Sequence, residues 1–153
     1  MKGGLEPRDF RFAIVVSRFN QEITERLLAG AQETFRAQGV DPGRVDIVWV
    51  PGALELPLIA KTLAETQRYG AIVALGCVIK HETKHFDLVS EGAAQGLAQA
   101  SLETGVPILN AVLACYDEQQ ALARAGGAQG NKGSEAALAA LEMANLLRDI
   151  KAD

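Results

Sequence analysis

The sequence lacks the features that usually mark membrane, secreted or nucleic-acid-binding proteins. No apolar run reaches the roughly 18 residues of a membrane-spanning helix, and the N-terminus lacks the hydrophobic region of a signal peptide. The net charge is −4 and no basic run is present, so neither nucleic acid nor an anionic membrane is expected as the main partner. We therefore expect a cytoplasmic protein whose ligand is a small molecule.

Cysteine and histidine are scarce, with two of each among 153 residues. A cytoplasmic location predicts Cys77 and Cys115 as free thiols, and their places near predicted strand ends favour small buried residues over nucleophiles. His81 and His85 fit the H-E-x-x-H pattern of zinc metalloproteases, which needs both histidines on one helix and a third ligand. Because a strand is predicted to reach Ile79, His81 should lie in a turn. We therefore predict no metal site.

What the sequence does contain is a regular alternation of apolar runs and amphipathic helical periods. The hydrophobic content of 48% over 153 residues fits one globular domain, with residues 1–9 as an N-terminal arm. Strands are predicted at residues 12–16, 45–50, 71–79 and 106–114. Strands that alternate with helices imply a parallel sheet covered on both faces. The predicted fold class is α/β, with a three-layer α/β/α sandwich.

Apolar periods also predict which face of each helix is buried. These faces are Ile23, Leu27, Ala31 and Phe35; then Leu56, Ile59 and Leu63; then Val89, Ala93 and Leu97; and finally Ala140, Met143, Leu147 and Ile150. Asn20 is the predicted N-cap of the first helix, and Gly39, Gly70 and Gly105 are predicted to end the first three helices. A short helix is expected from about Asp117.

A functional site is predicted where the buried run 71–79 leads directly into the polar segment that contains both histidines. Open α/β sheets bind ligands beyond the carboxyl ends of their strands, so this segment should border a pocket. Three classes of function remain: an enzyme acting on a small phosphorylated or carbonyl substrate, a nucleotide-binding module, and a structural assembly protein. The nucleotide module is the weakest, because no glycine follows the first strand where the dinucleotide fingerprint requires it.

Segments distributed along nearly the whole chain carry a specific resemblance. They are Ser17–Asn20, Trp49–Pro57, Gly76–Ile79, Glu82-Thr83 with His85-Phe86, Gly105–Pro107, Gln120–Gly126, Gly130–Gly133 and Glu142–Asn145. In this order and spacing they resemble the 6,7-dimethyl-8-ribityllumazine synthase family. The resemblance implies a flavodoxin-like sandwich with a four-stranded parallel sheet. It also implies a homopentamer or an icosahedral shell of sixty subunits, with the arm paired to an adjacent subunit's sheet and riboflavin synthase as a further partner.

The activity implied by the resemblance is the penultimate step of riboflavin biosynthesis. In this cofactor-free reaction, 5-amino-6-(D-ribitylamino)uracil condenses with 3,4-dihydroxy-2-butanone 4-phosphate. An imine forms, phosphate leaves, and the ring closes with loss of water. The alternative is a non-catalytic, shell-forming paralogue on the same fold.

Roles for several residues follow from the same resemblance. Phe19 corresponds to the aromatic residue that stacks on the pyrimidine. His85 corresponds to the general acid/base, and histidine suits that role because it changes charge near neutral pH. The remaining matches are Ala53, Leu54 and Glu55 for the uracil and ribityl chain, Cys77, Val78 and Ile79 for the heterocycle, and Glu82 and Thr83 for the phosphate-binding turn.

A second group of matches is expected to reach the site from a neighbouring subunit. Arg124 corresponds to the residue that clamps the phosphate, and Lys132 to a second cation beside it. By spacing alone, the four glycines of loop 126–133 around Lys132 suit an anion site and a hinge equally well. Asn110 stands where the family often has an aromatic residue over the substrate, and could hydrogen-bond the ring instead. Two more departures, His81 for a usual glycine and Cys115-Tyr116-Asp117 for a threonine-rich turn, concern substrate affinity more than reaction type.

Overall fold

The computed structural model describes residues 1–80 and 85–152, and its elements alternate as predicted. The elements are β1 (Phe12–Ser17), α1 (Gln21–Ala37), β2 (Val45–Val50), α2 (Leu56–Glu65), β3 (Ala71–Ile79), α3 (His85–Thr104), β4 (Ile108–Cys115), α4 (Glu118–Arg124), β5 (Ala125–Gly127), β6 (Gly130–Asn131) and α5 (Lys132–Ala152). Short 3-10 turns at Pro42–Arg44 and Ala53–Glu55 precede β2 and α2. In this described part of the chain, no helix has the length and apolar character needed to cross a membrane.

The first four strands form one parallel sheet in the order β2-β1-β3-β4. Val15 of β1 lies opposite Val48 of β2 on one side and Ala74 of β3 on the other. The central strands β1 and β3 are buried over nearly their whole length, as their uninterrupted apolar runs predict. The edge strands β2 and β4 are only partly buried.

Helices cover both faces of the sheet, which the side chains of β1 show directly. Ile14 and Val16 belong to a buried cluster with α1 and α5, whereas Ala13 and Val15 belong to a second cluster with α2 and α3. Successive side chains of a strand point to opposite faces, so one strand supplies both clusters. The predicted three-layer α/β/α sandwich is therefore confirmed.

The predicted inner face of α5 is wrong in part. Met143 and Ile150 are 36% and 53% exposed, and most of the buried positions are small, among them Ala137, Ala140 and Ala144. Alanine lets α5 approach α1 and the sheet closely, while Met143 and Ile150 project outward. The period of the large apolar residues therefore indicated the wrong face. By contrast, the predicted inner faces of α1 and α3 are buried throughout.

The face and the end of α2 also differ from the prediction. Its buried residues are Leu56, Ala60 and Ala64, while the predicted Ile59 and Leu63 are only partly buried. The helix ends at Glu65 and not at Gly70, because Gln67 already adopts a left-handed backbone with a φ of 59°. Gly70 instead lies against the ring of Phe10, which a Cβ atom would approach to 2.8 Å.

Two boundaries after α3 differ as well. β4 begins at Ile108, two residues later than predicted, and extends to Cys115. In the glycine-rich segment predicted to be a loop, β5 and β6 form a short antiparallel pair. This pairing shortens the irregular segment between α4 and α5.

The N-terminal arm lies on α5 of its own chain. The buried side chain of Asn145 donates from Nδ2 to the carbonyl oxygens of Gly4 and Glu6, at 3.1 and 2.9 Å. Arg8 forms an ion pair with Asp149 at 2.9 Å. Pairing of the arm with an adjacent subunit's sheet stays a prediction.

Candidate active site

The carboxyl ends of β1 and β3 separate, and the separation opens a cleft. Pairing between these two strands ends with Val16 opposite Leu75. The chain after β1 continues along β2 instead, where the Phe19 N–H donates to the Pro51 carbonyl oxygen at 3.1 Å. The backbone of the turn therefore follows β2 and leaves the last residues of β3 without a strand partner on that side.

A cavity of about 380 Å³ occupies this end of the sheet. This volume is within the range of small-molecule sites, roughly 300–1,000 Å³. Most of its lining is apolar, and eight of the predicted site residues contribute to it. They are Phe19 after β1; Ala53, Leu54 and Glu55 after β2; Cys77, Val78 and Ile79 at the end of β3; and His85 at the start of α3.

Phe19 forms an exposed aromatic wall of the cavity. Its side chain is 64% exposed, although the turn that carries it is anchored to β2. An exposed ring fixed at a cavity provides a flat apolar surface on which a heterocycle can stack. The opposite view, that Phe19 packs in the core, is excluded by its exposure.

The turn after β2 presents three adjacent residues to the cavity. Ala53 is 6% exposed, whereas Leu54 and Glu55 are exposed. Leu54 packs over Gly92 of α3, where a Cβ atom would come within 3.0 Å of its Cδ2. The short 3-10 turn thus holds an apolar base at Ala53 and a free carboxylate at the rim.

Cys77 contributes a neutral thiol to the cavity wall. Burial raises the pKa of Cys77 to about 12, with a smaller contribution from neighbouring Cys115. Burial also raises the pKa of Cys115. A thiolate is the nucleophilic form, so neither residue suits covalent catalysis near neutral pH. The prediction that both are small buried thiols is confirmed.

Asn20 links the turn after β1 to β3, a role that the sequence did not reveal. Asn20 is the N-cap residue of α1, as predicted, but its side chain does not cap the helix, because Nδ2 donates instead to the Cys77 carbonyl oxygen at 2.9 Å. The backbone of Asn20 is left-handed, with φ 60° and ψ 47°. Asparagine tolerates that conformation better than most residues, and this preference was the available signal.

His85 is the first residue of α3 and lines the cavity, as predicted. Three other predicted residues, His81, Glu82 and Thr83, lie outside the described residues. Within residues 1–80 and 85–152, no group of three or more potential metal ligands converges. The absence of a metal requirement stays a prediction.

The three residues expected from a neighbouring subunit lie away from this cavity. Asn110 is exposed on edge strand β4, and its Oδ1 accepts from the Val112 N–H at 2.9 Å. Arg124 ends α4 with Nη1 donating to the Gln120 carbonyl oxygen at 3.1 Å. Lys132 begins α5, with Nζ 3.8 Å from Glu135. Among its described lining residues, the cavity has no lysine or arginine.

Tyr116, one of the departures from the family pattern, lies close to the cavity. Its ring centroid is 6.4 Å from that of Phe86, which lines the cavity, and 5.3 Å from Nζ of Lys80. The substitution therefore adds an aromatic ring and a cation–π contact beside α3. It leaves the predicted cavity residues in place.

A parallel α/β sheet with an apolar cavity, a carboxylate and a histidine at its strand ends defines a small-molecule site of the flavodoxin-like class. Comparison with known proteins identifies the family. The family model for 6,7-dimethyl-8-ribityllumazine synthase matches residues 9–148, and the chain belongs to this family.

Curated relatives carry the name of this family, and the similarity extends over almost their whole length. The proteins from Xanthomonas euvesicatoria pv. vesicatoria and Leuconostoc mesenteroides subsp. mesenteroides are both called 6,7-dimethyl-8-ribityllumazine synthase. The first is 48% identical over 146 residues, covering 95% of this chain and 95% of the relative. The second is 49% identical over 141 residues, covering 92% and 90%. A Stenotrophomonas maltophilia protein of the same name is 49% identical over 144 residues, covering 94% and 93%.

Proposed function

We propose that this chain condenses 5-amino-6-(D-ribitylamino)uracil with 3,4-dihydroxy-2-butanone 4-phosphate to form 6,7-dimethyl-8-ribityllumazine. Phosphate and water are released, and the step is the penultimate one of riboflavin biosynthesis. The observation that carries the proposal is the cavity at the strand ends, which gathers the eight family-matched residues of the described chain. A cytoplasmic location, as expected from the sequence, fits soluble substrates of this kind.

The pyrimidine is proposed to bind between Phe19 and the end of β3. The Asn20 hydrogen bond shows that the Cys77 carbonyl faces the β1 side of β3. Backbone orientation alternates along a strand, so the N–H and C=O groups of Ile79 face the same way, and β1 has no residue opposite them. Ile79 can therefore pair with the amide edge of the ring while Phe19 covers its face. Glu55 is placed to accept hydrogen bonds from ribityl hydroxyls.

Proton transfer is assigned to His85, at the rim of the same cavity. Imine formation, loss of phosphate and ring closure each need protons to be removed and returned. A single imidazole can do both near neutral pH. Glu82 and Thr83 are proposed to form the turn that meets the phosphate.

The phosphate also needs cations that the described cavity lining lacks. We assign them to Arg124 and Lys132 of an adjacent subunit, together with Asn110 at the ring. The guanidinium of Arg124 is half-buried and the ammonium of Lys132 is exposed, each at the end of a helix, and a guanidinium can bind a phosphate through two hydrogen bonds. The site is then complete only in an oligomer, for which we propose a pentamer or an icosahedral shell of pentamers that could enclose riboflavin synthase.

Mixed assemblies test both the reaction and the shared site. Phe19→Asp damages the cavity half and Arg124→Ala the cation half, so each homogeneous assembly should form lumazine fluorescence slowly. In a cyclic assembly co-expressed at equal amounts, about a quarter of the interfaces join two undamaged halves, so activity should recover to about a quarter of wild type.

The control pairs Phe19→Asp with the double variant Phe19→Asp/Arg124→Ala, which cannot form an intact site. Activity in the first mixture no greater than the mean of its parents would place the whole site in one chain. A wild-type protein that assembles but forms no lumazine from both substrates would instead favour the shell-forming paralogue. A stable monomer in light scattering at micromolar concentration would reject the oligomer.

A further inference from the structure

We infer that Asn131 is a positioning residue whose amide fixes Lys132 for the reaction. The inference rests on the proposed role of Lys132 as a cation for the neighbouring site. Asn131 is the last residue of β6 and directly precedes α5, so it determines where the first residue of that helix points.

Both ends of the Asn131 side chain are used, each for a different element. Oδ1 accepts from the Ser134 N–H at 3.1 Å, which caps the first turn of α5. Nδ2 donates to the Arg26 carbonyl oxygen of α1, also at 3.1 Å. One amide group therefore caps α5 and ties its start to the neighbouring helix.

Two glycines make room for this junction. A Cβ atom on Gly133 would lie 2.1 Å from the Leu27 carbonyl oxygen, so only glycine lets α5 begin this close to α1. A Cβ atom on Gly30 would lie 2.5 Å from the amide atoms of Asn131. The backbone of α1 is thus accessible to the Asn131 amide because both positions lack side chains.

Lys132 carries an unfavourable charge for its position at the start of α5. The N-terminus of a helix carries the positive end of the helix dipole, which disfavours a cation in the first turn. Lys132 nevertheless begins the 21-residue helix α5, and Glu135 at 3.8 Å is a distant partner with both side chains more than half exposed. Local rules are usually broken where function requires it, so the lysine is better explained by a ligand than by stability.

A double-mutant cycle separates positioning from folding. kcat/KM is measured with both substrates for Asn131→Ala, Lys132→Ala and the double variant, each checked for intact assembly. We expect Asn131→Ala to reduce kcat/KM by about tenfold, less than the roughly 10²-fold that a misplacement of about 1 Å can cost. The double variant should be no worse than Lys132→Ala, because Asn131 has nothing left to position.

Gly30→Ala tests the same contact from the side of α1. Its methyl group should displace the Asn131 amide, while the gain in helix propensity offsets part of the stability that the lost cap costs. The expected signature is a loss of activity like that of Asn131→Ala with a smaller fall in melting temperature, and no further loss in the Lys132→Ala background. Asp41→Ala is the matched control, because Asp41 caps a short 3-10 turn at the amino end of β2, the opposite end of that strand from Ala53–Glu55.

The other possible results separate the role of Lys132 from the role of Asn131. Wild-type kinetics for Lys132→Ala would reject the proposed role of Lys132 and the inference with it. If the losses of kcat/KM in Lys132→Ala and Asn131→Ala multiplied in the double variant, Lys132 would keep its role and only the positioning role of Asn131 would be rejected. If Asn131→Ala does not assemble, the Gly30→Ala arm decides, since full activity there would overturn the inference.

Discussion

The cavity half and the cation half of the proposed site are built in different ways. Ala53, Cys77 and Val78 are at most 7% exposed, so the sheet and the packing around it set their positions. Arg124 and Lys132 lie at the end of one helix and the start of another, where a few hydrogen bonds orient the chain, including the contact of Asn131 with α1. The difference shows that core packing fixes one half, whereas hydrogen bonds at helix ends fix the other.

This contrast has a consequence for substitutions. A side chain held by core packing can be altered little without affecting stability, whereas an exposed residue at an element end can be changed while the fold survives. Both halves can therefore be tested separately, provided that each variant is checked for intact assembly. The largest effect is expected for substitution of Arg124, the proposed phosphate clamp, and the smallest for groups with no chemical role.

Arg124→Ala should have the largest effect. It removes a guanidinium from a phosphate that loses part of its hydration, and losing one such charge-stabilising donor typically costs roughly 10² to 10³ in rate. Steady-state kinetics with both substrates should show kcat/KM reduced by roughly 10²-fold. Arg124→Lys should recover only part of it, since an ammonium cannot bind through two parallel hydrogen bonds. Near-wild-type activity in Arg124→Ala would remove the cation half from the mechanism.

His85→Ala should have a smaller effect, roughly tenfold in kcat. Histidine acid/base catalysis is commonly worth about 10² to 10⁴, but water and the substrate's own phosphate can replace part of it here. Holding two substrates in register should supply more of the acceleration than proton transfer does. The measurement is kcat across pH 5–9 for wild type and variant. If His85→Ala were inactive while Arg124→Ala kept most of its kcat/KM, proton transfer would dominate.

Phe19→Ala should mainly raise the KM for the pyrimidine, by roughly tenfold. Stacking of a base on an aromatic ring is worth about 1–3 kcal/mol and acts before as well as during the reaction. Phe19→Tyr is the matched control, because it keeps the ring and should keep the KM. A fall in kcat with an unchanged KM would show that Phe19 acts on the transition state instead.

Alkylation of Cys77 should be slow and Cys77→Ala should keep most of its activity. With a pKa of about 12, the thiol is almost wholly protonated at pH 8, so iodoacetamide should leave it unmodified in mass spectra. The raised pKa also stabilises the fold below the ordinary thiol pKa, and this contribution is lost as pH rises towards 12. Wild type should therefore lose more melting temperature than Cys77→Ala between pH 8 and pH 10.5. Rapid alkylation at pH 8 would contradict the burial of this thiol.

Removal of metal ions should have no effect. The described residues contain no cluster of three potential ligands, and the proposed chemistry relies on imine formation and a phosphate leaving group. Turnover should be the same after dialysis against EDTA. Loss of turnover that zinc restores would mean that the H-E-x-x-H pattern binds metal after all.

The success of the sequence-based predictions depended on side-chain size. The inner face of α1 was predicted correctly because Leu27 and Phe35 are large and point inward. The face of α5 was predicted only in part, because Ala140 is buried as predicted but most of the other buried positions, such as Ala137, carry small side chains. The end of α2 was missed because Gln67, and not a glycine, takes the left-handed conformation. The error in α5 arose where close packing between distant elements outweighed a local preference.

At the site, too, local motifs could be predicted and contacts between distant segments could not. Phe19, Glu55 and His85 follow directly from motifs at predicted strand ends, and the structure brings them to one cavity. The roles of Asn20 and Asn131 could not be predicted, because their partners Cys77 and Arg26 are far away in sequence. A side-chain amide forms the same hydrogen bonds in many settings, and only the folded chain selects one.

By itself, the sequence determined the fold class and the end of the sheet at which the cavity lies. Apolar runs and helical periods are local properties, and their alternation is compatible with few arrangements. Only the tertiary structure decided that the end of β3 has no strand partner on the β1 side, where the cavity lies, and that Asn20 and Asn131 contact Cys77 and Arg26. These placements depend on contacts between distant segments, whose geometry is set by the packing of the whole core.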